Sequence, residues 1–457
     1  MQLFTSPIRT RIVSIGALCV AVVLAVVLPH GQALTSGQAA TSSYPFTLCP
    51  AALGGSEKIG LPATRVQVRS INGKSQSTKP APSMILNSYQ YASSYPLYIQ
   101  GNPGIPVAWN SSTSSPLTGV SCNSGALSQW LIGGTAGLSS QDLLEIINSG
   151  LASAIVAIYP YTTKGPLAPI SVTVKANSDA QIPVSTLAPG ENSLAVEVVS
   201  SSARIASYLL DHRKAGLSEL GSSFVPEQDQ AQTTIYLGGL TNGAYSGSKA
   251  NTQLVRLLVP GTQDANISAT IYTSNGAVTP VGLSSLSVPH QKVLDVALPT
   301  AALPSPFGIM LTSDQPILAS VLTSSVTTHA IAWASALTPV ATSAGSVTRI
   351  NFAGAQPKLV FMGANISVRV NWQPSIGKGA SAVITGDQIA AWSAPSATTT
   401  VTLTQLNPGA GRNLYVGAIM GDSSGGTLSY LALPSATTQS GSAQSASDIR
   451  ALIPKAR

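Results

Sequence analysis

The clearest pattern in the chain is a pair of short apolar runs set around small polar residues. It fills residues 193–210, Ser-Leu-Ala-Val-Glu-Val-Val-Ser-Ser-Ser-Ala-Arg-Ile-Ala-Ser-Tyr-Leu-Leu. The pattern returns without a gap at residues 306–323. There Val196, Val198, Ser200, Ile205, Ala206 and Ser207 become Ile309, Leu311, Ser313, Leu318, Ala319 and Ser320. A looser echo occupies 414–431. Two apolar runs around a tight polar turn predict a β-hairpin. Its return about every 110 residues predicts a tandem array of similar β domains.

The chain between the echoes supports that reading. Residues 129–132, 143–147, 154–159, 170–174 and 181–184 are short β-branched runs bounded by Gly, Pro, Asn or Ser. So many short strands in about 100 residues predict a β-sandwich of immunoglobulin-like type. Ile235-Tyr236-Leu237-Gly238-Gly239 matches Trp130-Leu131-Ile132-Gly133-Gly134, and Ile271-Tyr272 matches Ile158-Tyr159. The predicted organisation is therefore an N-terminal β region over 46–125, then three sandwich repeats over 126–232, 233–345 and 346–434. Within the N-terminal region, 64–69 alternates with period two and 96–99 reads as a further strand. Residues 435–457 read as a flexible tail, with a short helix over 448–453 before Pro454.

The first 33 residues stand apart. Arg9 and Arg11 precede an apolar run over 12–28, so the remainder of the chain is expected outside the cytoplasm. The run's length suits either a cleaved signal peptide or a single uncleaved membrane anchor. No second apolar span follows. Residues 34–45 are rich in Ser, Thr, Gly and Ala and read as a linker. The expected location is the cell membrane, single-pass with its C-terminal part outside, or secreted. In an exported chain Cys49 and Cys122 are the natural disulfide pair, the alternative being two unpaired thiols.

Composition narrows the function. Charged residues make up only 9% of the chain, while 44% are hydrophobic, so the surface is carried by hydroxyls rather than charges. The net charge is +7, but its cations are scattered, with His212-Arg213-Lys214 the densest run. That argues against a nucleic-acid reader and leaves a general attraction to anionic polymers or lipid surfaces.

No catalytic, cofactor or metal site is expected. The histidines, His30, His212, His290 and His329, lie far apart, and no Cys/His cluster suits zinc. No acidic loop suits calcium. Gly421-Asp422-Ser423-Ser424-Gly425-Gly426 resembles the nucleophile segment of trypsin-like serine proteases, and His329 and Asp387 precede it in the right order. The extra Ser would displace the nucleophile from its oxyanion-hole amides, and Gly, Asp and Ser are what a turn requires. Gly133-Gly134 and Gly238-Gly239 have no following Lys-Ser/Thr; they read as bulges or strand exits rather than phosphate loops. Trp109, Trp130, Trp333, Trp372 and Trp392 either line a sugar-binding face or fill cores. Asn110, Asn266 and Asn365 each head an Asn-x-Ser triplet, a glycosylation acceptor in a suitable host.

The pattern from Cys122 through Trp130-Leu131-Ile132-Gly133-Gly134, with the aligned units and their Val/Ile-Ala-Ser runs, resembles a family of exported actinobacterial proteins known only as a domain of unknown function. The resemblance spans about 120–435. It implies a single N-terminal anchor or signal and an envelope location, and supplies no catalytic residues. The function expected is a non-enzymatic envelope protein that binds a wall polymer or an envelope protein and touches the membrane through its N-terminal segment, without nucleic acid. A structural spacer and a hydrolase with a site between domains are the alternatives; a buried acid or His of perturbed pKa in a cleft would mark the latter.

Overall fold

The computed structural model describes residues 46–433 apart from 54–55, 62–66, 72–87, 92–94, 101–104, 112–117, 242–250, 300–302, 326–329, 341–347, 353–355, 410 and 422–427. The expected leader, linker and C-terminal tail lie outside these residues. Apart from the 3-10 turn Val184–Thr186, the described residues carry strands and no helix, and none could cross a membrane as a helix.

The described strands fall into four successive groups with one shared order. In the N-terminal unit they are Phe46–Cys49, Ser56–Gly60, Gln67–Ser70, Ser88–Tyr91, Leu97–Gln100, Val107–Ser111 and Thr118–Ser121. The first, fifth and third form one sheet, and the fourth, second, sixth and seventh form the other. Repeats 1, 2 and 3 follow the same order, with extra short strands beside the third, and with Glu227–Gln228 beside the first strand of repeat 1 and Pro339–Val340 beside the sixth of repeat 3. The N-terminal region thus has the repeats' own topology. The Cys49–Cys122 disulfide ties the unit's first strand to its junction with repeat 1.

This order corrects the immunoglobulin-like expectation. In that fold strands one, two, five and four share a sheet. Here the second strand pairs with the fourth and sixth, while the fifth lies between the first and third. The units are sandwiches of a different connectivity.

The expected hairpin is also corrected. In repeat 1, Leu194–Ser200 pairs with Ala154–Thr162 and Ser128–Ile132 in one sheet. Ala206–Ala215 pairs with Leu143–Asn148 and Ser218–Val225 in the other. In repeat 2 the same stretch is one unbroken strand, Phe307–Ser324, whose two halves serve the two sheets. The polar residues mark a bend where the chain crosses between sheets, not a turn where it doubles back. Both arrangements bury two apolar runs and leave a wet middle, so the pattern cannot separate them. The echo does double back: Leu414–Gly421 pairs with Leu428–Ala432, and these are the sixth and seventh strands.

The gapless alignment slips at this bend. Val196 and Ile309 occupy equivalent core positions, but beyond the bend Ile205 matches Ile317 rather than Leu318. Glu145 then faces Tyr208 as Arg256 faces Ser320. Repeat 1 carries one residue more in its bend, and a one-residue slip reverses which side chains face the core.

Each sandwich packs on its neighbour through equivalent elements. Glu145, on the second strand of repeat 1, accepts from Ala51 N–H of the N-terminal unit at 3.0 Å. Arg256, on the second strand of repeat 2, donates to Gly134 and Leu194 carbonyls of repeat 1 at 2.7 and 3.0 Å. Val360, on the second strand of repeat 3, joins the core of repeat 2. The last contact closes the series. Just beyond Gly60 on the second strand of the N-terminal unit, the Leu61 carbonyl accepts from Asn351 Nδ2 of repeat 3 at 3.2 Å, and Ile105 N–H donates to the Arg349 carbonyl at 3.0 Å. The chain therefore closes into a ring of four sandwiches, its first unit against its last.

The inner wall of the ring is built from the four seventh strands. Thr118–Ser121 packs on Ser218–Val225, that on Ile331–Ser335, that on Leu428–Ala432, and that on Thr118–Ser121 again. Side-chain hydroxyls tie these strands where no ladder runs. Phe224 N–H donates to Thr118 Oγ1 at 3.2 Å, Trp333 N–H to Ser223 Oγ at 3.0 Å, and Gly119 N–H to Ser429 Oγ at 3.2 Å. Buried backbone donors need partners, and Ser and Thr supply them in little space.

Candidate functional site

A cavity of about 860 Å³ opens where the four inner strands end. Thr118–Ser121 and Leu428–Ala432 reach it directly, and the segments just past Ser218–Val225 and Ile331–Ser335 complete the wall. All four units contribute, so the cavity exists only because the ring closes.

The segment 226–230, Pro-Glu-Gln-Asp-Gln, links repeat 1 to repeat 2 across this space. Its strand Glu227–Gln228 adds to the edge of Ser128–Ile132. Gln228 extends the ladder into repeat 2: its Nε2 donates to the Ala319 carbonyl at 3.0 Å, and its Oε1 accepts from Ala319 N–H at 3.4 Å. Pinned on both sides, the segment presents Glu227 and Asp229 to the cavity.

Glu227 is held by two amides. Asn123 Nδ2 donates to its Oε2 at 2.9 Å, and Gln129 Nε2 donates to the same oxygen. Asn123 is itself fixed: its N–H donates to Tyr208 Oη at 3.0 Å, and its Oδ1 accepts from Gly125 N–H at 3.0 Å. Tyr208 Oη in turn donates to the Leu48 carbonyl at 2.5 Å. The Cys49–Cys122 disulfide sits beside this network and clamps the strand end that carries Asn123. Arg204 Nε and Nη2 donate to the Gly125 carbonyl at 3.2 and 2.7 Å.

Burial pushes the Glu227 carboxyl up to about 8, and the neighbouring Asp229 charge adds to the rise; the Gln129 and Asn123 donors oppose it. Burial also raises Asp229, against the pull of Arg204. Glu227 lies deep in the ring yet keeps part of its surface accessible, as a side chain facing an internal cavity does. Three residues along the wall, Gln129, Ser207 and Tyr430, carry a buried polar atom without a partner among the described residues.

The residues singled out from sequence fare differently. Cys49 and Cys122 are joined. Trp109, Trp130 and Trp333 are core side chains. Trp333 is wholly buried between repeats 1 and 2, its Nε1 donating to Asp211 Oδ2 at 2.7 Å with Arg256 over its ring at 5.0 Å. Trp372 and Trp392 form a half-exposed pair, centroids 5.4 Å apart, on repeat 3. His212 pairs with Glu219 and His290 with Asp264 on the surface. Asn266 and Asn365 are exposed. The segments 326–329 and 422–427, with His329 and Ser423, lie outside the described residues, as does His30. No group of three metal-ligating side chains occurs among the described residues.

Gly134 and Gly239 take φ of +85° and +82°, which fits strand exits. One of their neighbours has a second role. A Cβ on Gly133 would meet Val225 of its own repeat at 2.8 Å before Trp333 at 3.1 Å, whereas one on Gly238 would meet Met362 at 2.7 Å, so Gly238 lets the next unit approach. Glu227 and Asp229 were missed by sequence reading. The available signal was a Pro-Glu-Gln-Asp-Gln run in a chain poor in charge.

Residues 100–394 match the model of a family of unknown function, DUF5719. No curated protein matches. Thermotoga maritima 1070 is 15% identical, covering 21% of this chain and 88% of its own at a TM-score of 0.20. The Anabaena sensory rhodopsin transducer is 23% identical, covering 20% of this chain and 95% of its own at 0.16. The major pilin of Streptococcus pyogenes, in its N168A form, is 8% identical, covering 66% and 100% at 0.16.

Proposed function

The chain belongs to DUF5719, a family of unknown function, and we propose that it is an exported, non-enzymatic cell-envelope protein whose ring of sandwiches binds a wall polymer or an envelope protein. The observation that carries this reading is the central cavity. All four units wall it, and a fixed carboxyl, amides and hydroxyls converge on it. Concave sites with a few placed polar groups are the usual form of ligand sites. The N-terminal apolar run, read as an anchor or signal, would set the ring outside the membrane. The test is sedimentation of the purified chain with isolated envelopes across a salt series. Binding that survives salt supports a cavity or hydrogen-bonded site, and no binding in any salt contradicts the proposal.

Glu227 itself favours a second reading. A carboxyl held protonated near neutrality in a cleft between units is the mark of a general acid. In that case the chain would cleave the polymer it binds. Release of soluble polymer fragments, lost in Glu227→Gln, would support hydrolysis.

A further inference from the structure

Resting on the binding reading above, we propose that the central cavity recognises a primary ammonium group on its ligand, seated on Glu227 Oε1 beside Asp229. The geometry around Glu227 selects this chemistry. Both amide donors, from Asn123 and Gln129, converge on Oε2. Oε1 takes no hydrogen bond from the described residues and is left to the cavity. A guanidinium engages a carboxylate through both oxygens as a fork. With Oε2 taken, a fork does not fit. A primary ammonium is a compact point charge with three donors, and it needs one free oxygen.

A second acceptor stands beside the first. Gln129 is 2% exposed; its Nε2 is committed to Glu227, and its Oε1 has no partner among the described residues. An ammonium on Glu227 can direct another N–H toward it. The charge balance agrees. The charged side chains on the cavity wall are Glu227, Asp229 and Arg204, with Tyr208 and Tyr430 the other titratable groups. Arg204 is already turned onto the Gly125 carbonyl. With Glu227 protonated, Asp229 and Arg204 balance; a second positive charge is called for only when Glu227 ionises, and a ligand cation supplies it. A ligand cation would remove the cost of ionising Glu227 in a buried place. This local acidity sits within a chain of net charge +7.

Calorimetry of the full chain at pH 8 with cadaverine and with glucosamine tests the proposal, using pentane-1,5-diol and N-acetylglucosamine as neutral counterparts. The expected result is amine binding at least about tenfold tighter than the neutral match. Cadaverine alone would indicate an amine on an alkyl chain, and glucosamine a sugar amine; either supports the proposal. Glu227→Gln is expected to abolish the preference, with a melting curve showing that the variant folds, and Asp229→Asn to weaken it. Equal binding of amines and neutral counterparts overturns the ammonium claim while leaving the cavity as a binding site. So does an amine preference unchanged in Glu227→Gln. If no amine binds but envelopes still sediment with the chain, the ammonium claim alone falls. If envelopes fail as well, the binding reading falls with it.

Discussion

Replacing Glu145 by Gln tests whether buried carboxyls make the ring an acid-favouring fold. Glu145 is wholly buried on repeat 1, accepting from Ala51 N–H at 3.0 Å and from Gln181 Nε2 at 3.3 Å. Burial pushes it from an ordinary 4.5 to about 8, opposed by the Ala51 donor. The folded chain therefore holds a proton that the unfolded chain has lost across that range. Its contribution is fully present below about pH 4.5 and is lost as pH rises toward about 8. Each pH unit is worth about 1.4 kcal/mol, so three units between pH 5 and pH 8 cost the parent about 4 kcal/mol through this one group. Gln keeps the shape and an acceptor for Ala51 but carries no proton to lose. Urea unfolding followed by tryptophan fluorescence at pH 5 and pH 8 is the assay. The variant is expected to match the parent within about 1 kcal/mol at pH 5 and to exceed it by several at pH 8. Stability changes that run parallel in the two proteins would refute the reasoning. Glu227 and Asp142, also pushed up to about 8 by burial, give the parent slope its remaining steepness.

Other consequences concern the ring itself. Trp333→Phe removes the indole donor to buried Asp211 and leaves part of a wholly buried site unfilled; a loss of at least about 1–3 kcal/mol is expected in chemical unfolding. Gly60→Ala would drive a Cβ to 2.1 Å from the Asn351 carbonyl oxygen, at the contact that closes the ring. Limited proteolysis should then release the N-terminal unit faster than in the parent, and an unchanged digestion pattern would contradict closure there. Removing the Cys49–Cys122 bridge, which spans 73 residues, should cost about 4 kcal/mol in the chain-entropy model, measured as the difference between Cys→Ser and parent unfolding midpoints.

The strands were legible because β-branched runs bounded by Gly and Pro have few other uses. The repeats were legible through the Gly-Gly exits of Trp130-Leu131-Ile132-Gly133-Gly134 and Ile235-Tyr236-Leu237-Gly238-Gly239, although that match runs one residue out in the strand itself, where Leu131 opposite Val196 corresponds to Leu237 opposite Ile309. The N-terminal copy was hidden because Phe46–Cys49 keeps the burial of that strand but not its Gly-Gly exit. The crossing at Ser200 to Ile205 was misread because polarity reports exposure, not which sheet the chain joins next. The site was least legible. Glu227 meets Asn123 and Gln129 from about 100 residues away, and the cavity wall brings Ser121 beside Ala432 with a hydrogen bond of 3.0 Å. Such neighbours exist only after the last unit has docked on the first, and no local pattern records that event.

Hydroxyl-radical footprinting of the purified chain, with and without isolated envelopes, tests the central cavity most directly. The cavity and the Trp372–Trp392 face are the two competing surfaces. Binding in the ring should protect residues 226–230 and the exposed wall residue Leu127 and leave the tryptophan pair unchanged. Protection of Trp372 and Trp392 with none at 226–230 would contradict the account and move the binding surface to the outside of repeat 3.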